Sequence, residues 1–157
     1  MKISSTVIAL GFLISTTIAV PAWSTSLKIT GEDGSQLALF DRDDIEALGV
    51  VEINTATPWT DGIVRFQGVS VKTVLATAGI DDANVTGLAL DDYAVTLEAD
   101  IIEKYDPIIA TRMNGVLMTV EDKGPFWIMF DFDDLAEEES AELRSFAVWH
   151  LVEFEVE

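Results

Sequence analysis

Ile108-Ile109-Ala110-Thr111-Arg112-Met113-Asn114-Gly115-Val116-Leu117-Met118-Thr119-Val120 is the stretch on which the fold turns. Two runs rich in apolar and β-branched residues flank Asn-Gly, the dipeptide best suited to a type I′ turn because both positions accept positive φ. The stretch predicts a β-hairpin with strands over 108–113 and 116–120. Lys123-Gly124-Pro125 then breaks the chain, and Phe126-Trp127-Ile128-Met129-Phe130 follows as a continuous apolar run. Such a run predicts a central strand buried on both faces. An acidic helix over 137–145 and a last strand over 147–156 close the sequence.

Moving upstream, residues 100–105 read as a short helical turn before Pro107, and strands over 85–90 and 93–97 flank Asp91-Asp92. Ser70 is placed to cap a helix whose Val71, Val74, Leu75 and Ala78 follow the i, i+3, i+4, i+7 spacing of a core-facing stripe, with Gly79 as terminator. Residues 50–55 and 63–67 are strand-like and enclose the irregular segment Ala56-Thr57-Pro58-Trp59-Thr60-Asp61-Gly62. Asp41 predicts the cap of a helix through Leu48, with Asp44 in its first turn, Ile45 and Leu48 facing inward, and Gly49 after it. Before that, apolar segments at 27–29 and 36–40 bracket Glu32-Asp33-Gly34 as a second hairpin. Many short strands with three or so short helices make the class α+β with β predominating.

The chain has 157 residues and no cysteine, so disulfides, thiolate metal ligands and a cysteine nucleophile are excluded. It opens with Met1-Lys2, an apolar run over 7–20 and small residues around Ala22 and Ser24. That is the pattern of an export signal, with cleavage expected after Ala22 or after Ser24. The run is shorter than the ~20 residues of a spanning helix, so no stable membrane anchor is expected after cleavage. The expected location is periplasmic or secreted. Residues 1–22 are read as the signal peptide and 23–157 as a single domain, which is enough chain for one sizeable core. Losing Lys2 takes the 9 basic residues to 8, against 28 acidic ones, a formal charge of −20. Nucleic acid is a poor partner for such a surface, whereas a small molecule or a protein partner is compatible with it.

Few residues suggest chemistry. Asp131, Asp133 and Glu142 match three places of a calcium loop, but Leu135 occupies a ligand position and Ala136 replaces the turn glycine. Asp131 to Asp134 read better as the end of a strand and the cap of the acidic helix. His150 has no second histidine or cysteine to share a transition metal, and reads as a hydrogen-bonded structural residue. No serine-hydrolase or phosphate-loop signature occurs. Arg65 and Arg112 lie at strand edges beside loops, where a guanidinium can clamp an anion or pair with a carboxylate. Trp127 reads as core, and Trp59, in a loop after Pro58, as the lining of a pocket.

Taken in order, Trp59-Thr60-Asp61-Gly62, Phe66-Gln67-Gly68-Val69, Leu90-Asp91-Asp92-Tyr93, Met113-Asn114-Gly115, Lys123-Gly124-Pro125 and Trp149 resemble the oxidoreductase molybdopterin-binding domain of the sulfite oxidase family. The resemblance covers nearly all of 23–157 and is greatest to small, stand-alone exported bacterial members. It implies β-rich mixed sheets in layers, a few short helices, and a pocket formed by loops at strand ends. In catalytic relatives a cysteine after a strand ligates molybdenum. The equivalent stretch here is Asn54-Thr55-Ala56-Thr57, with no thiolate, and the glycine- and arginine-rich sequence that follows it in the enzymes is missing.

The expected function is therefore a non-catalytic binding module whose strand-end pocket takes a small ligand or partner protein through Thr55, Trp59, Arg65 and Arg112. No catalytic residue, metal ligand or cofactor residue is assigned, and molybdopterin enters only through the resemblance. Two other functions fit the sequence: an oxidoreductase that still binds molybdopterin without a protein thiolate, and an acidic accessory protein for a basic partner.

Overall fold

The computed structural model describes residues 25–133 and 135–157. The export-signal reading falls on residues 1–24 and so lies outside the described residues. The first hairpin forms as β1 (Ser26–Gly31) and β2 (Gln36–Asp41), and α1 (Arg42–Ala47) follows directly. Asp41 caps α1 through a reciprocal box: its carboxylate accepts from Asp44 N at 2.9 Å, and the Asp44 carboxylate accepts from Asp41 N at 3.1 Å. Then come β3 (Val51–Ala56), β4 (Ile63–Ser70), α2 (Val71–Thr77), β5 (Val85–Ala89), β6 (Ala94–Leu97) and α3 (Ala99–Tyr105). The last third contributes β7 (Ile108–Met113), β8 (Val116–Leu117), a 3-10 turn (Val120–Asp122), β9 (Trp127–Met129), α4 (Glu137–Arg144) and β10 (Leu151–Val156).

These strands make two sheets. One runs β2-β1-β10-β5-β6, and within it β1 and β10, from the two ends of the described chain, pair in parallel with Lys28 opposite Glu153. The other runs β3-β4-β7-β8, with β9 also on β7. Apolar residues of both sheets, including Leu27 and Phe154 of the first and Phe66, Ile109 and Ile128 of the second, join one core. The α+β, β-predominant class read from the sequence is the architecture observed. Gly68 is required where β4 meets β7, because a Cβ there would fall 2.1 Å from the Ile109 carbonyl oxygen.

The Asn114-Gly115 turn forms as expected, with φ of 52° and 82°. Four local expectations change. The second arm of that hairpin is only two residues long, because the chain bends at Met118 into the 3-10 turn. Residues 126–130 are buried on both faces, yet β9 is not central. It shares one edge of β7 with β8, and its far edge meets the segment before β10: Ile128 N donates to the Val148 carbonyl at 2.8 Å, and Leu151 N to the Phe126 carbonyl at 3.0 Å. A run with apolar residues on both faces measures burial, and here a covering loop supplies it as well as a neighbouring strand would. The last strand begins at Leu151 rather than 147. Lastly, Ser70 precedes α2 but sends its hydroxyl to Asp106; α4 starts from Ala136, and the cap expected from Asp131 to Asp134 falls partly on residue 134, outside the described residues.

Candidate functional site

The stretch Asn54-Thr55-Ala56-Thr57, singled out in the sequence, lies at the end of β3. Thr55 is fully buried, and its Oγ1 accepts from Phe132 N at 3.0 Å and lies 3.4 Å from Asp133 Oδ1. Ala56 N also lies 3.4 Å from that carboxylate. Asp133 is in turn positioned by Asp131, whose Oδ1 accepts from Asp133 N at 3.2 Å. Thr55 thus ties β3 to the loop after β9, and its hydroxyl faces protein groups and a carboxylate. Among the described residues, no group of three or more histidines or acidic residues is arranged to hold a metal ion.

Beyond Thr55 the loop turns sharply. Thr57 and Thr60 hydroxyls lie 2.8 Å apart, and Trp59 N donates to Thr57 Oγ1 at 3.2 Å. This local bonding is the serine/threonine turn chemistry that competes with regular structure, and it swings Trp59 inward. The Trp59 ring sits 5.7 Å from Trp149, 5.8 Å from Trp127 and 6.3 Å from Phe132, the Trp149 and Phe132 contacts being edge-on. Edge-on and tilted arrangements at these separations let the positive ring edge meet the negative ring face.

Trp149 is held from behind. His150 has φ of 55°, its backbone N donates to the Lys123 carbonyl at 3.0 Å, and its Nε2 lies 2.8 Å from the Val120 carbonyl. A carbonyl can only accept, so the ring proton is on Nε2. The expected structural histidine thus pins the backbone beside Trp149 to the 3-10 turn. From the same turn Lys123 places its ammonium 4.6 Å from the Trp149 ring centre, a cation–π contact.

Trp59 and Trp149 form part of a cleft of about 220 Å³, together with Tyr93, Ala147 and Val148, and with Asp91 and Arg144 as its charged members. Tyr93 donates through its hydroxyl to the Ser145 carbonyl at 3.0 Å, and Asp91 Oδ1 accepts from Tyr93 N at 3.3 Å. Arg144, the last residue of α4, gives Nη1 to Glu137 at 3.2 Å and Nη2 to Ser140 at 3.1 Å. Its Nε is buried with no hydrogen-bond partner among the described residues. A wider depression of about 350 Å³ lies between α2 and α3, floored by Leu75, Ile80 and Ile102, and the Lys72–Glu103 ion pair crosses it at the exposed surface.

Of the four residues singled out in the sequence, Trp59 lines the cleft and the other three do not. Arg112 is clamped by Glu46 of α1, Nε to Oε1 and Nη2 to Oε2, each at 2.9 Å, and Thr111 Oγ1 donates to the same carboxylate at 2.7 Å. Those bonds hold the Glu46 carboxyl below the usual carboxylate range, the Arg112 hydrogen bonds contributing most. Arg65 lies on the same sheet, 46% exposed, with Nε 3.8 Å from Glu52. The cleft residues that sequence reasoning passed over are Asp91, Tyr93 and Arg144. Asp91-Asp92-Tyr93 already stood among the ordered motifs, whereas Arg144 has no local signature, being one cation in an acidic helix.

No protein-family description matches the sequence. No curated protein sequence matches it either. The fold is similar to one chain in the crystal structure of the sulfane dehydrogenase SoxCD from Paracoccus pantotrophus, with a TM-score of 0.56 at 13% identity, over 88% of this chain and 40% of that one. At that identity the likeness is one of fold, a distant relationship. This chain therefore spans well under half the length of that neighbour.

Proposed function

We propose that this chain is an exported, non-catalytic binding module on a sulfite-oxidase-like scaffold, and that it holds a small ligand in the cleft between Trp59 and Trp149. The observation that carries the reading is the cleft itself: three aromatic side chains and two opposite charges line it, Trp59 coming from the loop after β3. Concave sites of this kind, mostly apolar with a few placed polar groups, are where small molecules bind.

A pterin-bound molybdenum does not fit the residues present. Thr55 offers a hydroxyl in place of a thiolate, and that hydroxyl serves Phe132 N. Asp131 and Asp133 bring negative charge to the same place, and Arg112 is already neutralised by Glu46. The export part of the proposal rests on residues 7–20 and their small-residue flank.

The test is a titration of the protein with benzyl alcohol, a neutral aromatic probe, followed by NMR of the tryptophan indole N–H signals. Saturable shifts of the Trp59 and Trp149 signals are expected, with the Trp59 shift lost in Trp149→Ala. Movement of other signals while these two stay fixed overturns the cleft as a binding site.

A further inference from the structure

We infer that the ligand of the cleft is a free α-amino acid with an apolar or aromatic side chain, bound as its zwitterion; this assignment rests on the cleft being a ligand site. The size fits first. About 220 Å³ is room for roughly seven waters at ~30 Å³ each, below the ~300 Å³ at which pockets for drug-sized ligands begin. The walls fit next, because Trp59, Tyr93 and Trp149 with Ala147 and Val148 offer an apolar surface to a side chain.

The charges then separate the ligand classes. Asp91 and Arg144 line one small cleft without forming an ion pair with each other; the ion pair of Arg144 is with Glu137. Asp91 spends one oxygen on Tyr93 N and keeps acceptor capacity for an ammonium group. Among the described residues the buried Nε of Arg144 has no hydrogen-bond partner, and its Nη1 partner Glu137 is 79% exposed. An exposed pair of that kind is worth little, so the guanidinium exchanges it readily and turns toward a carboxylate in the cleft, which accepts two parallel bonds.

A purely anionic ligand would satisfy Arg144 but would meet Asp91 and the field of a chain with net charge −19. A purely cationic ligand would satisfy Asp91 and leave the Arg144 donor unmade. A zwitterion is neutral overall and pairs with both, its carboxylate on Arg144, its ammonium on Asp91 and its side chain on the indoles.

Calorimetric titration of the protein with L-phenylalanine, 3-phenylpropionate, 2-phenylethylamine and benzyl alcohol tests this. L-Phenylalanine is expected to bind at least about tenfold more tightly than either singly charged analogue, the discrimination a hydrogen-bonded charge pair supplies. Arg144→Gln should abolish its advantage over 2-phenylethylamine, and Asp91→Asn its advantage over 3-phenylpropionate. This crossed pattern is one that general loss of structure cannot give, and the analogue comparison on the unsubstituted protein stands even if a variant fails to fold. Equal binding of the analogues and L-phenylalanine overturns the amino-acid assignment and leaves the cleft a ligand site. If benzyl alcohol also leaves the cleft signals unmoved, the cleft reading falls with it.

Discussion

Thr55 shows how a single buried hydroxyl at the end of a strand can serve the fold. Its Oγ1 is the acceptor for a buried backbone N–H, that of Phe132. Thr55→Val keeps the shape and removes that acceptor, so it should lower stability by about 1–3 kcal/mol in urea unfolding, the cost of stranding a buried donor. Glu46 makes a pH-dependent contribution. Its folded pKa lies below the ordinary value near 4.5, so the stabilisation is complete above that value and is lost as pH falls through the lowered one. Glu46→Gln should therefore cost about 1–2 kcal/mol at pH 7, and the gap from the parent protein should narrow as pH drops below 4.5. The arginine assignments illustrate what sequence leaves out. Arg112 and Glu46 are 66 positions apart, and only the arrival of α1 beside β7 makes them partners.

Among the elements, those set by local chemistry were legible. The Asn-Gly turn, the Asp41 cap and the apolar stripe of α2 each depend on neighbours within about one turn, and each forms where the sequence places it. Gly115→Ala should cost about 1–2 kcal/mol by thermal unfolding, because φ of 82° is strained for a residue with a Cβ and the new atom would meet Arg65 Nη2 at 3.1 Å. The place of β9 was not legible, since its outer edge is covered by residues 148–151, which hydrophobic pattern alone does not distinguish from a strand. The cleft failed to show for the same reason. Trp59, Tyr93, Arg144 and Trp149 come from four separate segments, and only Trp59 sits in a loop unusual enough to draw notice.

At the scale of the whole molecule, class and order of segments were readable because alternating short apolar runs and turn residues constrain a β-rich chain strongly. The pairing of β1 with β10 was not, as nothing local couples residues 28 and 153. That pair is reinforced by Lys28 Nζ to Glu153 Oε2 at 2.7 Å and Thr30 Oγ1 to Glu153 Oε1 at 2.8 Å. Removing residues 151–157 takes out the strand between β1 and β5 and exposes the core at Leu27 and Ile29, so the shortened chain should lose its cooperative unfolding transition by circular dichroism. The parallel pair also sets a clock. During synthesis the first sheet stays in two halves until its last strand leaves the ribosome, and contacts spanning so much sequence form slowly. A chain built this way can close its second sheet and the two hairpins of its first before β10 arrives, so the seam between those hairpins is the last contact to be made.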